Sequence, residues 1–178
     1  GRKKEAMTWD PVLKSSNSNE WGTPPDLFDF FNKRFNFDLD AAAGAHNAKV
    51  KNYFSKDKCA FSHEWNRHGS RVWLNPPYGR RCGLWIERAH DQAKRGKIRV
   101  VVLVMARTDT AAFHDHIMKA QELYFVRGRL KFTREDGHTG PAPCGSVVAV
   151  FDGRWETRAP QIKTLEKNAK NEWEINHH

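Results

Sequence analysis

The chain has 178 residues, enough for a single domain that buries roughly 70% of its unfolded surface. It is 39% hydrophobic, with seven Trp and eleven Phe, so aromatic side chains carry much of its core; no stretch approaches the ~18 apolar residues of a membrane span. Thirty Lys+Arg against twenty-one Asp+Glu give a net charge of +9, which suits a polyanionic partner, nucleic acid ahead of an anionic membrane, although a merely solvated basic surface accounts for the charge equally well.

Residues 1–19 are polar and end in Ser15-Ser16-Asn17-Ser18-Asn19, which reads as a mobile lead-in. Thr23-Pro24-Pro25 is a helix start, with Thr23 as N-cap and proline in the first turn. Leu27, Phe28, Phe30, Phe31 and Phe35 follow at helical spacing and predict a helix from about Pro24 to Arg34. Phe37-Asp38-Leu39-Asp40-Ala41 alternates apolar and acidic residues, as a short strand would, and runs into small residues from Ala42 to Ala45. A second short strand is expected over Lys51 to Ser55, and a third over Arg71-Val72-Trp73-Leu74, which leads directly into Asn75-Pro76-Pro77-Tyr78-Gly79.

Leu84, Trp85, Ile86, Ala89 and Ala93 mark a helix that stops at Gly96. Ile98 to Met105 is an unalternated β-branched run, the pattern of a strand buried on both faces. Asp109 is expected to cap a helix through Ala120, followed by strands over Leu123 to Val126 and Ser146 to Phe151. Arg127 to Gly145, rich in Gly and Pro, reads as a loop or hairpin. Gln161 to Trp173 reads as a charged helical tail.

Strands alternating with helices imply an α/β sandwich around a mainly parallel sheet, whose ligands bind in the crevice at the carboxyl ends of the strands. Asp38/Asp40 and Asn75-Pro76-Pro77-Tyr78 are both expected at that rim. Two prolines after a strand make a rigid loop with freed carbonyls. The Asn75 side-chain oxygen and the Pro76 carbonyl can then converge on an sp² NH₂ group, and Tyr78 offers a flat face for stacking. The plainer alternative is a Pro-rich turn with Tyr78 packed as a lid. Cys59, Cys82 and Cys144 form no CxxC pair, which argues against a zinc knuckle or disulfide framework and for a reducing compartment. His114 and His116, two apart, would not share a metal.

At Asn75-Pro76-Pro77-Tyr78 the chain resembles the amino-methyltransferases, which modify adenine N6, cytosine N4 or a glutamine amide. Over roughly Glu20 to Phe151 it is similar to the phage-type DNA N-6-adenine-methyltransferases. That likeness is carried by Glu20-Trp21-Gly22-Thr23-Pro24-Pro25, Asp38-Leu39-Asp40-Ala41-Ala42, Asn52-Tyr53-Phe54, Val72 to Gly79, Ala106-Arg107-Thr108-Asp109-Thr110 and Arg127 to Phe132.

The resemblance implies a Rossmann-like methyltransferase fold, a mainly parallel twisted sheet with helices on both faces, in a domain over 20–153 with residues 154–178 as the tail. It implies S-adenosylmethionine as methyl donor and no metal. Thr23 and Pro24 would border the donor's methionine end, and Asp38 and Asp40 would take its ammonium or ribose hydroxyls through charge-assisted hydrogen bonds. Ala42 would line that crevice and Asp57 is a weaker candidate for its adenine or ribose edge. The alternative for Asp40 is a helix N-cap. Many methyltransferases carry several glycines after the first strand, whereas here Ala41-Ala42-Ala43 leads to the single Gly44.

Arg107 and Asp109 would line a DNA cleft or brace one another, and Arg127, Arg129 and Lys131 beside Phe132 suit phosphate contact, as would Arg80 and Arg81. The expected reaction is methyl transfer to an adenine flipped out of double-stranded DNA, in the cytoplasm of a bacterium hosting the phage or prophage, with no membrane and no obligate protein partner. RNA adenine or cytosine N4 methylation, or a catalytically silent nucleic-acid-binding module, are the alternatives.

Overall fold

The computed structural model describes residues 21–44, 47–134 and 136–177; the expected lead-in over residues 1–19 lies outside them. The first elements are a short strand β1 (Trp21–Gly22) and helix α1 (Pro25–Phe35). Pro24 occupies the α1 N-cap with no side-chain cap bond, and Leu27 N–H and Phe28 N–H both donate to its carbonyl. Thr23 is therefore not the cap expected of it, because Pro24 supplies the first helical acceptor. The helix ends at Asn36, in the left-handed region at φ 52, whose N–H donates to the Asn32 carbonyl.

Strands β2 (Leu39–Asp40) and β3 (Arg71–Leu74), helix α2 (Cys82–Gly96) and strand β4 (Arg99–Met105) come next. The strand expected over Lys51 to Ser55 reduces to one parallel bridge between Asp40 and Tyr53. Helix α3 (Ala111–Asp115) is capped by Thr110, whose Oγ1 accepts from Phe113 N–H, and not by Asp109. It gives way to a 3₁₀ turn, Ile117–Lys119, before Ala120. Strand β5 (Glu122–Val126) leads to a hairpin of β6 (Lys131–Arg134) and β7 (Thr139–Pro141), then β8 (Ser146–Asp152).

The expected helical tail is instead two strands, β9 (Gln161–Lys167) and β10 (Trp173–His177). The physical reason is a period of two: Lys163 and Leu165 are buried while Gln161, Ile162 and Lys167 are exposed. Lys163 tolerates burial because its ammonium pairs with the Glu122 carboxylate and donates to Tyr124 Oη. Between the strands, Asn168 Oδ1 accepts from Lys170 and Glu172 N–H, and Asn171 adopts φ 63, which closes the turn. These residues belong to the central sheet and do not form a separate tail.

That sheet has seven strands in the order β10-β9-β5-β8-β4-β3-β2. β2, β3 and β4 pair in parallel, β8 runs antiparallel to both β4 and β5, β9 is parallel to β5, and β10 is antiparallel to β9. Five strands thus share one direction, and β8 and β10 oppose it. The β4 run is buried on both faces as its composition requires. Val100, Val102 and Val104 face the layer of α2 and α3, with Ile86, Ala89, Ala93 and Phe113. Val101 and Leu103 face α1 through Leu27, Phe28, Phe31 and Phe35. Phe31 stands edge-on to Tyr124 at 5.2 Å and Phe28 edge-on to Trp73 at 5.5 Å; cutting either Phe to Ala would cost roughly 3–5 kcal/mol.

A second, three-stranded sheet, β1-β6-β7, pairs antiparallel throughout. Because β6 follows the carboxyl end of β5 and β7 precedes the amino end of the reversed β8, this small sheet is tethered at the rim where β3 and β4 end. Among the described residues no helix is long and apolar enough to cross a membrane.

Candidate active site at the carboxyl rim of the sheet

The Asn75-Pro76-Pro77-Tyr78 turn leaves β3 at its carboxyl end, held between β2 and β4. Pro76 is buried, and Asn75 and Tyr78 are partly buried. The Asn75 amide nitrogen donates to Thr23 Oγ1 at 3.0 Å, and its Oδ1 is also buried. With Nδ2 engaged by Thr23, the acceptor atom of the carboxamide is its buried oxygen.

Tyr78 stands edge-on to Phe132 of β6, ring centres 5.6 Å apart, and packs against the α1-side core. Its hydroxyl is buried without a hydrogen-bond partner among the described residues, and burial pushes the phenol's pKa far above its ordinary value. The tyrosine is therefore a fixed neutral wall that joins the turn to the small sheet.

Asp40 ends β2, opposite Trp73 in register, one residue short of the Leu74–Asn75 junction. It is 3% exposed. Its two oxygens accept from Ala42 N–H at 3.2 Å and Lys49 N–H at 3.1 Å, so it clamps the loop of small residues after β2. No helix begins there, which removes the N-cap alternative. Burial pushes its carboxyl up to about 6, against the opposing pull of the two backbone N–H groups and of Lys49. A carboxylate oxygen has lone pairs for more than one donor, so a cation or hydroxyl reaching Asp40 would strengthen the ionised form.

Asp38 corrects an expectation. It stands at the amino end of the sheet, where its carboxylate accepts from Ser70 N–H at 3.0 Å and Arg71 N–H at 2.9 Å and pairs with the Arg71 guanidinium at 3.5 Å. The alternation that marked it as a rim residue puts Asp38 and Asp40 on the same face, yet two residues of strand rise, roughly 6–7 Å, separate them along the chain. Its lone pairs are spent holding β2 to β3.

The other expected site residues are distributed around the rim and its loops. Pro24 caps α1 beside Thr23, and Ala42 lends its N–H to Asp40. Asp57 is exposed in a turn where its N–H donates to Ser55 Oγ. Arg80 is exposed and Arg81 sits at the α2 N-cap. Arg107 is exposed just past β4. Burial pushes the Cys82 thiol up to about 11, and the Arg107 charge opposes that rise, which places Arg107 close to the first turn of α2. Arg127 is 80% exposed and paired with Glu166 of β9 at 2.9 Å. Arg129 donates to the Ala142 carbonyl at 3.2 Å, and Lys131 is exposed at the start of β6. Among the described residues no group of three or more His, Cys, Asp or Glu could hold a metal ion.

Sequence reasoning missed the Thr23–Asn75 bond and the Tyr78–Phe132 contact. Neither leaves a local signal, since each joins residues more than fifty positions apart.

A family model described as DNA N-6-adenine-methyltransferase (Dam) matches residues 11–174. A DNA N-6-adenine-methyltransferase of Haemophilus phage HP1 (strain HP1c1) is 31% identical over 126 residues, which cover 69% of this chain and 71% of that protein. A DNA N-6-adenine-methyltransferase of Escherichia phage T1 is 28% identical over 111 residues, 62% of this chain and 45% of that protein.

Proposed function

The chain belongs to the DNA N-6-adenine-methyltransferase family, and from that premise we propose that it transfers a methyl group from S-adenosylmethionine to the N6 amino group of adenine in duplex DNA, on a Rossmann-like sheet. The observation that carries the reading is Asn75, anchored through its amide nitrogen to Thr23 at the head of a diproline turn on the carboxyl rim.

An aromatic amine is a weak nucleophile because its lone pair is delocalised into the ring. The Asn75 side-chain oxygen and the Pro76 carbonyl, two acceptors on adjacent residues, can take both N6 hydrogens. That pair of bonds orients the nitrogen and draws its lone pair out of conjugation. Holding two reactants in line contributes roughly 7–11 kcal/mol towards the barrier, so positioning can carry most of the rate. Tyr78, its hydroxyl buried and its edge fixed by Phe132, supplies a rigid surface for the flipped base.

The residues at the rim also fit the donor. Asp40 is a buried carboxylate that forms no salt bridge among the described residues, with only the charge of Lys49 and two backbone N–H groups favouring its ionised form, and the Ala41-Ala42-Ala43-Gly44 segment keeps bulky side chains out of the loop it clamps. Asp40 and Ala42 would hold the donor, with Pro24 at its border and Asp57 as an outer contact. When bound, S-adenosylmethionine supplies an electrophilic methyl group on a sulfonium. Arg80, Arg81 and Arg107 on one side, and Arg127, Arg129 and Lys131 on the other, would contact phosphates on either side of the turn.

The test is transfer of a tritiated methyl group to unmethylated duplex DNA and, in parallel, to RNA, followed by sequencing that maps N6-methyladenine. Label on adenine N6 is the expected result. Label confined to RNA or to cytosine N4 would overturn the substrate assignment.

A further inference from the structure

We propose that Thr23 is a positioning residue that sets the orientation of the Asn75 carboxamide, so that its oxygen and not its nitrogen meets the substrate amine. The inference rests on the function proposed above and assigns Thr23 a different task from bordering the donor.

The side chain of Thr23 is free for this work. It is 4% exposed and lies between β1 and α1, yet it caps nothing, because Pro24 fills the N-cap of α1. Its backbone is fixed from both sides: Gly22 pairs with Thr133 of β6, and α1 starts two residues later. Its Oγ1 lies 3.0 Å from Asn75 Nδ2.

The outer torsion of an asparagine is broad and roughly two-fold, so the amide can turn end over end at little cost. One orientation directs Oδ1 at the incoming amine. The other directs Nδ2 at it, donor against donor, and cannot hold or polarise the substrate. A hydroxyl that accepts from Nδ2 weights the first orientation. Removing it lowers the fraction of enzyme competent for transfer, and the rate falls by that fraction while donor affinity stays where it was.

A carboxylate at position 75 has two equivalent oxygens and no wrong orientation. This makes the proposal testable in a way that a packing role would not share. In Thr23→Val, which keeps the shape and loses the hydroxyl, kcat is expected to fall by about tenfold, the scale of one side-chain hydrogen bond. The S-adenosylmethionine Kd should stay within about twofold, and Thr23→Ser should recover to within about threefold of the wild type. In an Asn75→Asp background the loss on adding Thr23→Val should shrink to less than about threefold. A wild-type kcat in Thr23→Val overturns the proposal. So does a loss that appears in the donor Kd, which would make Thr23 a donor contact, and so does an equal loss in both backgrounds, which would make it packing.

A readout independent of turnover separates this inference from the substrate assignment. The side-chain amide protons of Asn75, identified in a ¹H–¹⁵N spectrum by their absence from Asn75→Asp, should be shifted and slow to exchange in the wild type. They should move and exchange faster in Thr23→Val, and return in Thr23→Ser. Unchanged signals in Thr23→Val overturn the proposal whatever the enzyme methylates. The expected shifts in a protein that puts no methyl on adenine would leave the orientation standing and remove only the function.

Discussion

Thr23 and Asn75, 52 residues apart in sequence, meet through a 3.0 Å hydrogen bond from the asparagine amide to the threonine hydroxyl. The bond ties the segment before the first helix to the turn after β3, and it closes the rim between the small sheet and the central one. Tyr78 against Phe132 makes the second tie across the same gap. The turn is thus braced at both ends, which is what a site relying on positioning requires.

The first prediction concerns the braced asparagine. Asn75→Ala removes the acceptor that would orient the amine, and transfer should fall by about 100-fold or more, the usual scale for losing one preorganised polar contact in a reacting site. S-adenosylmethionine binding, followed by calorimetry, should stay near the wild-type value because in the proposed reaction the side chain acts on the substrate. More than a tenth of the wild-type rate remaining in Asn75→Ala would remove the residue from its assigned role.

The second concerns Asp40. As its carboxyl titrates near 6 in the free protein, it is protonated at pH 5 and ionised at pH 7. An ammonium or hydroxyl donating to it favours the ionised form, so donor affinity should rise as the pH is raised through about 6 and level off above. For folding, the sign is opposite: a pKa raised above the ordinary carboxyl value of 3.8 means that the stability Asp40 contributes is present below that value and is lost as the pH rises through about 6. Asp40→Ala should weaken donor binding by roughly 1.5–3 kcal/mol and flatten its pH dependence. An unchanged profile would confine Asp40 to holding the loop.

The third concerns the fold. Gly153 follows β8, and a Cβ built there would lie 1.6 Å from the Ala93 carbonyl oxygen of α2, while the Gly153 N–H donates to Ile98. The obstructing atom is backbone, so the helix end itself would have to shift. Gly153→Ala should destabilise by at least about 2 kcal/mol, as overpacking does elsewhere. Urea denaturation measures this, and a wild-type midpoint would show that the helix end yields freely.

How legible these features were depended on the distance over which each was encoded. The β4 run declared its burial through local composition, and helix α2 ended at Gly96 as its pattern required. The diproline turn was legible because rigidity resides in the prolines themselves. β9 was misread because Lys163, Glu166 and Lys167 look like a charged helix until Glu122 and Tyr124, some forty residues earlier, are seen to receive Lys163. Asp38 and Asp40 looked equivalent in sequence. Only the register of β2 against β3 gives one to the amino end and the other to the rim.

The last prediction concerns DNA. In the proposed reading Arg127, Arg129 and Lys131 line one side of the cleft, but the structure separates them. Arg127 is already paired with Glu166, whereas among the described residues Arg129 donates to a neutral carbonyl and Lys131 is exposed on the hairpin. Each phosphate that a cation neutralises contributes about 0.9 to the slope of log K against log salt on duplex DNA. Replacing Arg129 and Lys131 together with Gln should therefore flatten the slope by roughly 1.8 if each meets one phosphate. Glu166 competes for Arg127 through an exposed pair worth about 0–1 kcal/mol. Glu166→Gln should release Arg127 and tighten DNA binding by up to roughly fivefold, and adding Arg127→Gln should cancel that gain. Fluorescence anisotropy with a labelled duplex at several salt concentrations reads both effects. A wild-type slope in the Arg129/Lys131 double variant, with no gain from Glu166→Gln, would move the DNA away from the hairpin and onto Arg80, Arg81 and Arg107.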